Sequence, residues 1–305
     1  MNSLRLYLST LSYLKPRQFY HLVRQRLLSR IPVRLADPAD LQIRPGAGLG
    51  AIPASVHHDG SDYGFCFLNV SRSFSDGSID WVCADMPKLW RYNLHYFDYL
   101  HDAGRSKGAL AEIVSDWINS NPIGAENAWE PYTVSLRIVN WIKWFIRDFA
   151  DSVPARKWLE SLYLQAAWLD KNIERHLLAN HYLKNAKALF FAGAYFSGEI
   201  ADSWLRKGLK ILCKEVSEQI LPDGGHFERS SMYHCIVLED CLDVLNLALA
   251  TPGLADPNSV ELLRERTGLA LDYLNDILSP RDQIPLFNDS AFGIALTPEE
   301  LFKYA

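Results

Sequence analysis

From about Pro87 onward the apolar residues recur at three- and four-residue steps, and the two-residue alternation of a half-buried strand is absent. Within 133–150 these positions are Val134, Ile138, Trp141, Ile142, Phe145 and Phe149. The same stepping joins Leu205, Leu209, Leu212, Val216 and Ile220, and more loosely Leu262, Leu269, Leu271 and Leu274. Breaker clusters stand between the runs: Asp151-Ser152-Val153-Pro154, Phe196-Ser197-Gly198, Leu221-Pro222-Asp223-Gly224-Gly225 and Thr251-Pro252-Gly253. They mark off helices of about ten to twenty residues. Sequential helices of that length, joined by short polar turns, predict an all-α fold, an incomplete (α/α) toroid of antiparallel helical hairpins. No strict repeat is visible, which favours diverged hairpins over a regular array.

The remainder reads as attachments to that ring. Residues 1–34 carry seven Lys or Arg and no Asp or Glu. Their basic residues are scattered among the apolar ones with no cleavage-site pattern, so they do not read as a secretory signal, and no apolar run reaches a membrane span. A basic helical arm docked on an acidic body is expected, with contact to an anionic membrane surface as the alternative. Residues 37–64 are too rich in Pro, Gly, Ser and Asp for a regular element and form a linker or wrapped arm. Short alternating pieces at 65–70 and 78–81 predict one small β-hairpin. The expected division is arm and linker over 1–85, toroid over 86–280, and a connection over 281–305 that leaves the helical pattern for a loop.

Charge narrows the partners. A formal net charge of −5 gives no electrostatic reason to hold nucleic acid. The five cysteines, at 66, 83, 213, 235 and 241, form no C-x-x-C pair and no zinc-ligand spacing, and read as core thiols. No metal or cofactor is expected in this chain, and no nucleotide-binding or nucleophile-elbow motif occurs. Aromatic residues make up 12% of the chain, which suits either a packed helical core or a groove that stacks sugar rings.

Three stretches place polar groups where helix packing does not need them. The first is Arg91-Tyr92-Asn93-Leu94-His95-Tyr96-Phe97, followed by Asn127-Ala128-Trp129-Glu130-Pro131-Tyr132 and then Arg137. Asn93, His95, Tyr96, Trp129 and Glu130 are candidate sugar contacts, and Arg137 can grip a carboxylate through two N–H groups. Capped helix starts with surface charges would look the same. The second is Asn180-His181 at the head of an apolar helix, where an ordinary N-cap and a pair of donors beside a helix N-terminus are both open readings. The third follows the Gly224-Gly225 turn, where His226, Glu228, Arg229, Tyr233 and His234 crowd together at a density costly in a plain core.

In their order these stretches resemble the heparinase II/III-like polysaccharide lyases, which include heparinases and alginate lyases. Carrying the likeness are Tyr-Asn-Leu-His-Tyr-Phe at 92–97, Trp129-Glu130-Pro131-Tyr132 running into Ser135-Leu136-Arg137, and Asn180-His181. Asp223-Gly224-Gly225-His226-Phe227-Glu228, Met232-Tyr233-His234 and Ile284-Pro285-Leu286-Phe287-Asn288-Asp289-Ser290 complete it. The resemblance implies an N-terminal α/α toroid followed by a C-terminal antiparallel β-sandwich, with an acidic polysaccharide bound between them. It places Tyr233 at the catalytic tyrosine and Asn180 with His181 at the residues that neutralise a uronate carboxylate. A structural zinc is expected only in the sandwich domain. A chain ending at Ala305 is then expected to be a lone toroid, inactive without that domain.

The chemistry so implied is β-elimination. The proton on carbon-5 of a uronic acid is acidic enough only when the neighbouring carboxylate is neutralised and the enolate is held by preorganised donors. Asn180 and His181 take that role, with Arg137 as helper and Tyr233 as general acid or base. A phenol with an ordinary pKa near 10 needs a cationic or donor environment to act as base, which His226, Arg229 or His234 would supply. Glu228 would orient one of these three. Two other readings stand beside this one: an inverting glycoside hydrolase using carboxylates among Asp223, Glu228 and Glu130, and a non-catalytic polysaccharide-binding toroid.

Overall fold

The computed structural model describes residues 35–54, 61–75, 78–177, 179–278 and 283–305. The basic segment 1–34, expected as a docked arm, lies outside the described residues. The described chain runs β1 (Gln42–Ile43), β2 (Gly64–Phe67), β3 (Val70–Ser73), α1 (Lys88–Tyr96), α2 (Lys107–Ser120), α3 (Pro131–Asp148), α4 (Arg156–Asn172) and α5 (Ala179–Tyr195). It continues through β4 (Phe196–Ser197), α6 (Glu199–Gln219), α7 (Ser231–Ala250), α8 (Pro257–Ile277) and α9 (Pro298–Tyr304). The architecture is helical, as the periodicity predicts.

Local chemistry starts the helices where the breakers end. Ser106 caps α2 through Ala109 N–H, Ser230 caps α7 through Tyr233 N–H, and Asp256 caps α8 ahead of Pro257. Helix α5 is buried along nearly its whole length because α3, α4, α6 and α7 all pack on it. A Cβ at Gly193 would lie 2.4 Å from the Leu205 amide nitrogen, so α5 and α6 cross backbone to backbone there and only glycine fits.

Aromatic residues fill the core. Trp90, Trp117, Trp141, Trp144 and Trp204 are fully buried, and Trp117 and Trp141 meet edge to face with ring centroids 5.7 Å apart. Truncating one such ring costs about 3–5 kcal/mol. Most of the aromatic content thus serves packing. Cys83, Cys235 and Cys241 are buried as expected, while Cys66 and Cys213 are half-buried, and all five are free. Among the described residues no helix is long and apolar enough to cross a membrane.

Within this core sits a closed ion network. Lys143 bonds Asp243 at 2.7 Å, and Lys184 and Lys187 each bond Asp240 at 2.7 Å. Lys187 also reaches Asp243, which accepts the Tyr304 hydroxyl at 2.6 Å. These contacts tie α3, α5, α7 and α9 together. The surrounding ammoniums hold the Asp243 carboxyl well below the usual carboxylate range despite its burial.

Two expectations are corrected. The hairpin pairs β2 with β3 through the left-handed residues Leu68 and Asn69, whose φ angles are 54° and 60°, as a two-residue hairpin turn of the favoured twist requires. Residues 78–81 take no part in it, because Ile79 and Trp81 turn into the core and the Trp81 indole donates to Asp116 at 2.7 Å. The end of the chain also regains helix. A capping box between Thr297 and Glu300 nucleates α9, which docks on α7. Segment 35–54 wraps the ring: β1 pairs with β4, Arg44 bonds Asp202 at 2.5 Å, and Asn246 of α7 bonds both Gly50 and Ala51.

Candidate active site

The heads of α5 and α7 are brought together by the turn between α6 and α7. Gly224 takes φ +85° there, and a Cβ on it would lie 2.0 Å from the Leu269 carbonyl oxygen of α8, so the turn presses directly on that helix. From this anchor the chain carries Glu228 back toward α5, where the Asn180 amide donates to its Oε1 at 3.3 Å. Ala179, just before Asn180, has φ 52°, and the Gln219 amide donates to its carbonyl at 3.0 Å. A non-glycine residue in the left-handed region is strained, and such strain gathers where side chains must be aimed.

His181, with a side chain 41% exposed, sits beside Asn180. Its Nδ1 lies 3.2 Å from Glu174 Oε2, and its ring centroid is 4.5 Å from that of Tyr132 at the head of α3. Tyr132 in turn meets Tyr96 edge to face at 6.1 Å.

Tyr233 occupies the first turn of α7, half-buried. The loop over 283–290 is latched to this turn: Ser230 donates to the Asp289 carbonyl at 2.8 Å, and Asn288 donates to the Arg229 carbonyl at 2.6 Å. The latch places the Asp289 carboxylate against Tyr233. Burial, then the carboxylates of Asp289 and Glu228, push the phenol above its ordinary value. Burial likewise raises the Glu228 carboxyl, against the pull of the Asn180 amide and of His181. Asn180, His181, Glu228, Tyr233 and Asp289 therefore share one electrostatic neighbourhood. A cavity of about 430 Å³ opens between the Gly224-Gly225 turn, α8 and the 283–290 loop, lined by Asp223, His226, Arg229, Tyr273, Phe287 and Asn288; Arg229 and Asn288 are the chain neighbours of Glu228 and Asp289, and none of the five cluster residues lines it. Its volume is within the size range of ligand clefts.

Other candidates lie in the packing. Arg137 is fully buried: Nε donates to Gln165 Oε1 at 2.8 Å and Nη1 to the carbonyls of Ala128 and His95, Nη2 finds no acceptor among the described residues, and the guanidinium lies 4.0 Å above the Trp117 ring. That position is a correction: the side chain braces the ring and does not open onto Asn180 and His181. His95 is also fully buried and accepts the Trp117 indole N–H at 3.1 Å. His234 bonds the Ala270 carbonyl and His226 bonds Gln219. Burial lowers His226 to about 3 and His234 to about 4, so both rings are neutral near pH 7. They do not supply the cationic surroundings expected for Tyr233, whose charged neighbours are carboxylates.

Trp129 is buried with its indole donating to the Asn121 carbonyl, and Asn93 bonds back to Leu89 of its own helix. Glu130 accepts the Tyr92 hydroxyl at 2.5 Å, and Tyr96 is buried behind Tyr132. Glu228 orients Asn180 in place of the His226, Arg229 or His234 expected. The sequence reading missed Glu174, Tyr132 and Asp289 as members of the cluster. Tyr132 and Asp289 stand inside the quoted motifs, whereas Glu174 carries no local signal. Among the described residues no group of three or more His, Cys, Asp or Glu is arranged to hold a metal ion.

With this geometry in place, comparison with known proteins is decisive about ancestry. The heparinase II/III N-terminus family model matches residues 53–297. The chain belongs to the heparinase II/III family. A heparin-sulfate lyase of Bacteroides thetaiotaomicron is 28% identical over 242 residues, spanning 70% of this chain and 34% of its own length. A heparin-sulfate lyase of Pedobacter heparinus is 32% identical over 225 residues, spanning 68% of this chain and 33% of its own. The chain thus spans about a third of these relatives. Among solved structures, heparinase III superposes with a TM-score of 0.57 at 22% identity, over 95% of this chain and 51% of that one. A heparan sulfate lyase from Pedobacter heparinus gives 0.52 at 21% identity, over 75% and 38%. These similarities establish the shared toroid fold.

Proposed function

We propose that this chain carries the toroid side of a polysaccharide lyase site that cleaves a uronic-acid-containing, sulfated polysaccharide of the heparan sulfate class by β-elimination. The observation that carries the reading is the meeting of Asn180, His181, Glu228 and Tyr233 at the heads of α5 and α7. Asn180 and His181 receive the uronate carboxylate and stabilise the enolate that forms when the carbon-5 proton leaves. A preorganised donor of this kind is worth about 3 kcal/mol in the transition state. Glu228 keeps the Asn180 amide turned toward the sugar.

Tyr233 acts as the general acid. Its phenol is held above the ordinary value by burial and by two carboxylates, which suits a group that keeps its proton until the glycosidic oxygen on carbon-4 needs it. The same carboxylates disfavour a phenolate in the unliganded site, so a base role for Tyr233 requires their charge to be offset by substrate binding.

Incubation of the protein as encoded by its gene with heparan sulfate, followed by ultraviolet absorbance of unsaturated uronate ends, tests the proposal. Product from the wild type and its loss in Tyr233→Phe, with unchanged thermal unfolding, are the expected results. Near-normal turnover by Tyr233→Phe overturns the role of Tyr233, and new reducing ends without the absorbance indicate hydrolysis instead.

A further inference from the structure

Glu174 stands apart from every motif in the sequence, yet it is the most firmly held carboxylate in the cluster. It lies in the connection between α4 and α5 and is 8% exposed. Its backbone N–H donates to Asn185 Oδ1 at 2.8 Å, and the Asn185 amide returns to Glu174 Oε2 at 3.4 Å. Asn185 itself is fixed by donating to Ser135 Oγ of α3 at 3.0 Å. That same Oε2 meets His181 Nδ1. From the other side, Tyr132 covers the imidazole face and limits its swing.

We infer that Glu174 is the positioning residue of His181, fixing the ring so that Nδ1 carries a proton and Nε2 is the atom presented to the substrate. An ionised carboxylate only accepts hydrogen bonds, so the nitrogen facing it must be the one that donates. In a singly protonated ring the lone pair then sits on Nε2, for which no described residue provides a hydrogen bond. The function of His181 narrows accordingly. With its lone pair outward the ring repels a uronate carboxylate and can only accept a proton. It pairs with that carboxylate as the imidazolium, backed by Glu174 on the far nitrogen. The groups facing the ring are Glu174 and His176 from the connection, Tyr132 from α3 and Glu228 from the turn before α7. The consequence for substrate rests on the proposed lyase reading, whereas the tautomer does not.

Long-range nitrogen–proton spectra of the histidine-labelled protein, with the His181 signal assigned by its loss in His181→Ala, read the tautomer directly. The expected result is the Nδ1–H form for the neutral ring in the wild type. In Glu174→Gln, whose amide both donates and accepts, the signal shifts toward the Nε2–H form while the signals of the histidines other than the neighbouring His176 stay in place. Glu174→Asp, which keeps a carboxylate, retains the Nδ1–H form. An Nε2–H ring in the wild type overturns the inference even if no variant folds, as does an unchanged tautomer in a folded Glu174→Gln. Titration with heparan sulfate oligosaccharide separates the two claims: a shift of Nε2 supports the lyase reading, and no shift with the Nδ1–H form intact sinks that reading alone.

Discussion

Helices α5 and α7 meet twice, and the two meetings differ in kind. At their heads, His181 and Tyr233 stand partly open next to a buried Asn180, with Nε2 of His181 unbonded by any described residue. Further along, Lys184 and Lys187 face Asp240 and Asp243 in a sealed network. Both regions hold charged and amide side chains at helical spacing. In one the ammonium groups and carboxylates pair with one another, with Asp240 Oδ2 left over, and removing a partner strands a buried charge. In the other they are aimed but incompletely answered, which costs stability and leaves capacity for a ligand.

The largest effect expected is one of pH, acting on the packed region. Burial holds His95, His101 and His226 at about 3 and His234 at about 4. Their unfolded values lie near 6.5. As pH falls below that value the unfolded chain binds protons that the folded chain refuses, so stability drops from about pH 6.5 toward pH 4. Each histidine removes about 1.4 kcal/mol per pH unit well inside this window, so the four together remove about 5–6 kcal/mol per pH unit. Urea unfolding across the window measures this, and a flat profile contradicts neutral burial of these rings.

Next comes Asp243→Ala, which takes the bridged carboxylate from Lys143 and Lys187. It is expected to cost about 3–5 kcal/mol, read as a lowered unfolding midpoint. Smaller again is Tyr304→Phe, which removes the hydroxyl that donates to Asp243 and accepts from Asn246 and should cost about 2 kcal/mol. At the open head the cost is smaller. His181→Ala takes one partner from Glu174, which keeps its bonds with Asn185, and should cost about 1 kcal/mol, while lowering uronate affinity. A large loss of stability in that variant would erase the contrast between the two regions.

The contrast also explains how far the sequence could be read. Periodicity shows where helices lie because burial on one face repeats every turn, and the breakers at 151–154, 221–225 and 251–253 mark real ends. Asn180-His181 and Lys184-Asn185 look alike on paper, one turn apart. Only the fold shows that Lys184 meets Asp240, fifty-six positions on, while Asn185 braces Glu174. Arg137 misleads for the same reason: a guanidinium that suits a carboxylate also suits a ring of carbonyls above a buried tryptophan. Asp289 and Glu174 reach the site through loops, whose course no local pattern encodes. Helix α9 escapes because seven residues after an irregular loop leave too short a period to detect.

The central claim is that the heads of α5 and α7 act on one sugar. A crystal structure of the Tyr233→Phe protein with a bound heparan sulfate oligosaccharide tests it most directly. The account predicts a single uronate with its carboxylate on Asn180 and His181 and its carbon-4 oxygen against the ring at position 233. A carboxylate bound away from Asn180, or different sugars at the two heads, would contradict it.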